Sequence, residues 1–153
     1  PLDGICVGYQ LLFEASDEVG ETAGLGLLPG HVRRLEADRD TPTVSLPQIG
    51  WNALEVCRAH PLFDGLGAGE PMYFVHTWAP VDVPADAVLA EAVHGSRFTA
   101  VACRGSVAGT QFHPEKSGVA GLRLLRNFLD WRPAVDASRA GDRHPSNPEE
   151  PAA

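Results

Sequence analysis

Apolar positions along this chain fall in short bursts cut by glycine, proline and charge, and their spacing names the elements. Residues 2–6 form a brief apolar run that predicts a buried strand. A helix-like pattern follows over 7–17, with Gln10, Leu11, Leu12, Phe13 and Glu14. Asp17 to Thr22 is polar and reads as a loop. Glycines at 24, 26 and 30 resemble a phosphate loop, but no Lys-Ser/Thr pair and no helix follow them. Pro29-Gly30 is a turn feeding a strand over 31–35. Glu36 to Pro42 is charged and loop-like, and 44–46 reads as a short strand. Pro47 to Gly50 turns, and Trp51 to Cys57 alternates as a strand does.

Pro61 to Leu66 fits a single helical turn. Met72 to Trp78, rich in aromatic and β-branched residues, predicts a strand, followed by a Pro/Asp loop over 81–87. Residues 88–93, 98–103 and 107–112 predict three more strands, joined by hairpin turns at 94–97 and 104–106. A last helix starts at Ser117-Gly118. Leu122, Leu125, Phe128 and Leu129 form its apolar stripe, Arg123 and Arg126 lie opposite, and Arg132-Pro133 ends it. From Ala134 onward periodicity vanishes among Pro, Ala, Ser and charge. The organisation read here is one folded unit over 1–132 and a disordered tail over 133–153.

Composition narrows the function classes. At 153 residues the chain holds one domain at most, and 44% hydrophobic residues suit a packed core. A net charge of −8 without a basic stripe speaks against nucleic acid. No apolar run approaches the roughly 20 residues of a membrane span. Cys6, Cys57 and Cys103 are odd in number and far apart, which argues against a disulfide framework or a zinc site and for a reducing cytoplasm.

The chemistry concentrates at two places. Cys6 stands between Gly4 and Gly8 where the first strand meets the first helix. That is the logic of a nucleophile elbow: small neighbours leave room for a strained turn, and the side chain stands clear of the sheet. The helix start behind it is expected to lower the thiol pKa, and the Val7 amide to face a developing oxyanion. Far along the chain, Gly109-Thr-Gln-Phe-His113-Pro-Glu115-Lys-Ser-Gly118 places a carboxylate two residues after a histidine. Side chains at i and i+2 of an extended segment share a side, so Glu115 can orient His113 towards Cys6. Alone, Cys6 reads as a small buried hydrophobe and His113 as a surface residue; together they point to a catalytic triad. His31, His60, His94 and His144 have no acid or thiol at useful spacing, and Cys57 and Cys103 read as structural. His76, inside an apolar strand, reads as a satisfied core histidine.

Gly-Ile-Cys-Val-Gly-Tyr-Gln together with Gln-Phe-His-Pro-Glu resembles the class I (triad) glutamine amidotransferases. Gly26-Leu-Leu-Pro-Gly30, Pro47-Gln-Ile-Gly-Trp-Asn52, Tyr73-Phe-Val-His-Thr77 and His113-Pro-Glu-Lys-Ser-Gly118 occur in order. Within that family they look most like the glutaminase subunits of imidazole glycerol phosphate synthase, over about residues 2–131. The resemblance implies an α/β fold of flavodoxin-like type, a sheet with helices on both faces. It implies glutamine hydrolysis by Cys6, His113 and Glu115, with ammonia passed to a (β/α)₈ cyclase subunit of histidine biosynthesis, and no metal or organic cofactor.

The resemblance further implies that Gln10, Thr77 and Trp78 hold the substrate glutamine. Each also has a plain reading: Gln10 as an ordinary helix residue and Trp78 as packing. Trp51, Tyr73 and Lys116 would face the partner, where core packing or solvation would otherwise explain them. Asp3 in a usually apolar strand, and Tyr9 where Met is common, depart from the pattern. The family's strands, helices and glycine-rich oxyanion loop ahead of the nucleophile have no counterpart here. The chain therefore reads as the C-terminal two-thirds of a longer domain, with an exposed sheet edge. Two alternatives stay open: another class I amidotransferase, such as the glutaminase of pyridoxal phosphate synthesis, or a partner-binding fragment without activity.

Overall fold

The computed structural model describes residues 1–36 and 44–133. The tail read from 134 onward and most of the charged segment 36–42 lie outside the described residues. The elements are strands β1 (Leu2–Ile5), β2 (Ala15–Ser16), β3 (Thr22–Ala23), β4 (His31–Arg34), β5 (Gln48–Ala53), β6 (Glu55–Val56), β7 (Pro71–His76), β8 (Trp78–Val81), β9 (Val88–His94), β10 (Ser96–Arg104) and β11 (Val107–Thr110). Helix α1 spans Val7–Leu11 and α2 spans Gly118–Asp130, with 3-10 turns at Pro61–Phe63 and Pro114–Lys116. No helix among them is long and apolar enough to cross a membrane.

Five strands form a sheet in the order β1-β11-β10-β9-β6. Only β1 and β11 run parallel in it, and β1 is its edge strand rather than a central one. A four-stranded sheet runs β3-β2-β4-β8, and β5 pairs with β7. Strand β10 divides two cores because neighbouring side chains point to opposite faces. Val101 and Cys103 join Phe74, Phe98, Phe112 and Leu124 of α2, whereas Ala102 joins Tyr9 and Phe13 beside α1. The two helices therefore lie on opposite faces, as expected. In the larger core the Phe74 ring meets Phe98 and Phe112 edge-on at 5.7 and 5.5 Å. Each such fully buried ring contributes about 1.5–3 kcal/mol.

Four expectations change. The first helix is five residues long and does not reach 17. The carbonyls of Leu11, Leu12, Phe13 and Glu14 accept amides from Leu25, Leu27, Leu28, Gly26 and Gly24, so a neighbouring segment replaces the next helical turn. The run 72–78 breaks at Thr77, whose carbonyl accepts the Leu35 amide; before it β7 pairs with β5, and after it β8 pairs with β4. The run 51–57 breaks at Leu54 in the same way and passes from β7 to β9. Residues 44–46 form no strand.

The apolar stripe of α2 is also displaced. Gly121 and Leu124 are its buried residues, with Ala120 and Phe128 packed beside the core. Leu122 and Leu129, by contrast, are 60% and 68% exposed. Contact with the turn before α2 decides this, because a Cβ on Gly121 would overlap the Pro114 carbonyl oxygen. Hydrophobic spacing does not register a glycine chosen for close approach.

Candidate active site

Cys6 closes β1 and opens α1 with φ 52° and ψ −109°, a left-handed conformation that a non-glycine residue adopts only under constraint. The constraint is visible on both sides. The Cys6 amide donates to Thr110 O at 2.8 Å, and the Gln10 amide donates to Cys6 O at 3.0 Å. Gly4 is required, since a Cβ there would sit 2.7 Å from Gly8 O and 2.8 Å from the Leu12 side chain. Gly8 faces open space, so its own lack of a side chain is not what the elbow needs.

The thiol donates to Val75 O at 3.8 Å. Burial pushes its pKa up; the Val7 amide pulls it down, Glu115 raises it and Lys116 lowers it. The net direction is upward, against the expectation of a helix-lowered thiol. A five-residue helix carries little dipole, and desolvation of the sulfur outweighs it.

His113 and Glu115 meet as expected, with Nδ1 and Oε1 2.7 Å apart. The extended geometry expected for them covers only His113; a 3-10 turn over Pro114–Lys116 carries the carboxylate to the ring. The pair is anchored through Tyr73. Its carbonyl accepts the His113 amide at 2.9 Å, and its amide donates to Ser117 Oγ at 2.9 Å. Ser117 Oγ in turn donates to His113 O at 2.6 Å, closing the turn on itself.

Strand β7 thus holds both halves of the site. Val75 receives the thiol and Tyr73 the histidine backbone, two residues apart on one strand edge, a spacing of about 6.6 Å. Among the described residues the sulfur bonds Val75 O and Gln111, and no hydrogen bond joins it to the His113 ring.

Gln10 extends from α1 and donates to Trp78 O at 2.7 Å and to Gln111 Oε1 at 3.1 Å. The same Trp78 carbonyl lies 3.0 Å from His76 Nδ1, and the ring's Nε2 lies 2.9 Å from Gln48 Oε1. Burial pushes His76 down to about 4, so it is neutral at physiological pH; with the Nδ1 proton given to Trp78, Nε2 accepts, and the Gln48 side chain must turn its NH2 group to it. The Thr77 carbonyl accepts the Leu35 amide. The carbonyls of Thr77 and Trp78 therefore both have protein donors.

Trp51 is 58% exposed and packs edge-on against Tyr73 across the β5–β7 pair, with ring centroids 5.8 Å apart. Lys116 is exposed on the turn after His113. Sequence reasoning singled out none of Gln48, Val75 or Gln111. Gln111 and Gln48 carried a usable signal, a polar side chain in or beside a strand with apolar neighbours. Val75 acts through its backbone and carried none.

The sequence model of the glutamine amidotransferase class-I family matches residues 1–131. The imidazole glycerol phosphate synthase subunit HisH of Caulobacter vibrioides is 47% identical over 133 residues, covering 87% of this chain and 62% of its own length. The subunit of the same name from Salinibacter ruber is 50% identical over 141 residues, covering 91% and 65%. The chain therefore spans less than two thirds of the length of these curated relatives. Among solved structures, a Thermoplasma acidophilum protein provisionally assigned to GMP synthase aligns with a TM-score of 0.61 at 22% identity, over 85% of this chain and 56% of the other. A glutamine amidotransferase of Thermotoga maritima aligns with a TM-score of 0.54 at 21% identity, over 85% and 47%. These two support the fold. With the strained cysteine, the histidine–glutamate turn and a family match running from the first residue almost to the end of α2, the chain belongs to the class-I glutamine amidotransferases.

Proposed function

We propose that this chain carries the glutaminase site of an imidazole glycerol phosphate synthase, with Cys6, His113 and Glu115 as its triad. The observation that carries the reading is the 2.7 Å His113–Glu115 contact, held by the strand whose Val75 carbonyl receives the Cys6 thiol. Cys6 as thiolate attacks the side-chain amide carbon of glutamine. His113 takes the thiol proton and gives it to departing ammonia, while Glu115 fixes the ring tautomer and stabilises the imidazolium. The Val7 amide donates to the oxyanion. Water, activated by His113, then attacks the thioester and releases glutamate, restoring the thiol. Gln10 and the Thr77–Trp78 backbone hold the amino-acid end of the substrate.

Ammonia passes to a cyclase subunit in the cytoplasm, which makes imidazole glycerol phosphate and aminoimidazole carboxamide ribotide. The surface of Trp51, Tyr73 and Lys116 receives that partner: an exposed Trp51 packed edge-on against a half-buried Tyr73 is the kind of anchor that dominates binding. Residues 1–132 are read as part of one amidotransferase domain that is longer in its relatives. The HisH names of relatives 47% and 50% identical support this assignment over other class I amidotransferases.

The test is glutamate release from glutamine, measured on the chain and on a version extended to its relatives' length. Each is assayed alone, with the cyclase, and with cyclase plus its nucleotide ligand. A rise confined to the last condition is expected, and Cys6→Ala should abolish it. Glutamate released at the parent rate by Cys6→Ala would sink the assignment. Equal activity without the cyclase would keep the thiol chemistry and remove the partner.

A further inference from the structure

We propose that Gln111 is a further residue of the site, one whose side-chain amide is aimed by a directed hydrogen-bond chain so that its N–H donates to the Cys6 sulfur. This rests on reading Cys6 as the nucleophile. The chain starts at the Trp78 carbonyl, which can only accept. Gln10 lies 2.7 Å away and must therefore present its NH2 group to it. The second proton of that NH2 points to Gln111 at 3.1 Å, so Gln111 must present its oxygen there. Its own NH2 is then left facing Cys6 Sγ at 3.9 Å. Flipping Gln111 would set donor against donor at Gln10.

The backbone supports the same orientation. The Gln111 amide donates to Ala100 O at 2.8 Å, at the register shift between Thr99 and Val101 in β10, and the residue is fully buried. A buried amide with one end committed to Gln10 has no solvent alternative to the sulfur. His76 braces the start of the chain, since its Nδ1–H shares the Trp78 carbonyl. A thiolate accepts such a bond better than a thiol, so the donor favours the reactive form. The other influences on the sulfur are the Val75 carbonyl and Glu115, which oppose ionisation, and the Val7 amide and Lys116, which favour it. Gln111 thus works against the burial that raises the thiol.

The pH dependence of Cys6 alkylation by iodoacetamide tests this. It is followed in the full 153-residue chain by peptide-resolved mass spectrometry, with Cys57 as internal reference. Gln111→Leu is expected to move the midpoint for Cys6 up by roughly 0.5–1 pH unit and to slow alkylation at pH 7 about three- to tenfold. Gln111→Glu replaces the donor with an acceptor and should move it further. Gln10→Met, which leaves Gln111 in place but frees its orientation, should give a smaller shift of the same sign. Cys57 should not move in any variant.

If Gln111→Glu fails to fold, as judged by near-ultraviolet circular dichroism, Gln111→Leu and Gln10→Met carry the test. A midpoint unchanged from the parent in Gln111→Leu overturns the proposal, as does a Cys57 profile shifting in parallel. Alkylation reads the thiolate without glutamine. A shifted midpoint in a chain that never releases glutamate would therefore keep this inference while removing the proposed function, and the reverse result would do the opposite.

Discussion

At the scale of single residues, two buried titrating groups act on stability with opposite signs. Burial raises Asp3 to about 6, with the Gly4 amide pulling the other way. An acid raised in the fold contributes stability that is complete below its ordinary pKa and is lost as pH rises through 6. Asp3→Asn should therefore stabilise the chain at pH 7.5 by about 1–2 kcal/mol, after discounting for partial exposure. The gain should vanish below pH 4, which urea unfolding at both pH values will check. His76, lowered to about 4, behaves inversely: its contribution is complete above 6.5 and is lost as pH falls towards 4. In the parent the two slopes offset, so Asp3→Asn should also make stability fall more steeply between pH 7 and 4.5. Sequence alone marked Asp3 as out of place but not its titration, because partial burial of a carboxylate depends on what covers the strand.

Among elements, the turn between β11 and α2 positions the proposed base. Gly121 has no room for a side chain beside Pro114; Ser117 Oγ accepts the Tyr73 amide and donates to His113 O, and the His113 amide donates to Tyr73 O. Gly121→Ala should cost roughly 1–3 kcal/mol by overpacking and reduce the proposed glutaminase turnover along with it. Ser117→Ala should cost about 1–2 kcal/mol by leaving a partly buried Tyr73 amide without its acceptor. Thermal unfolding separates these losses from a change in catalysis measured well below the transition. Strand identity was legible where β-branched and aromatic residues cluster, as in 72–76 and 98–103. What was not legible was where a strand changes partner. The breaks at Leu54 and Thr77 are made by backbone hydrogen bonds to Glu70 and Leu35, distant in sequence, and composition carries no trace of them. The end of α1 escaped for the same reason, and the stripe of α2 because its contact point is a glycine.

For the whole molecule, the Cys6 and His113 motifs pointed to the proposed chemistry because each is local, and both are hydrogen-bonded to one strand, β7. The exposed face of the β5–β7 pair lies behind that strand. Trp51→Ala should weaken binding to the cyclase at least tenfold while leaving unfolding within about 0.5 kcal/mol of the parent, since the side chain is mostly exposed. Titration calorimetry against the cyclase, paired with urea unfolding, reads both. Unchanged affinity would remove this face from the interface.

The position of β1 carries one more consequence. Among the described residues, the strand that leads into Cys6 is paired on one side only, with β11, and its other side is the rim of the sheet. A segment pairing with that rim, from the same molecule or from another copy, would lie along the strand that leads into Cys6. Pairing at that rim should then change how fast Cys6 reacts. A dilution series that follows the alkylation rate of Cys6 would show whether a second copy pairs there.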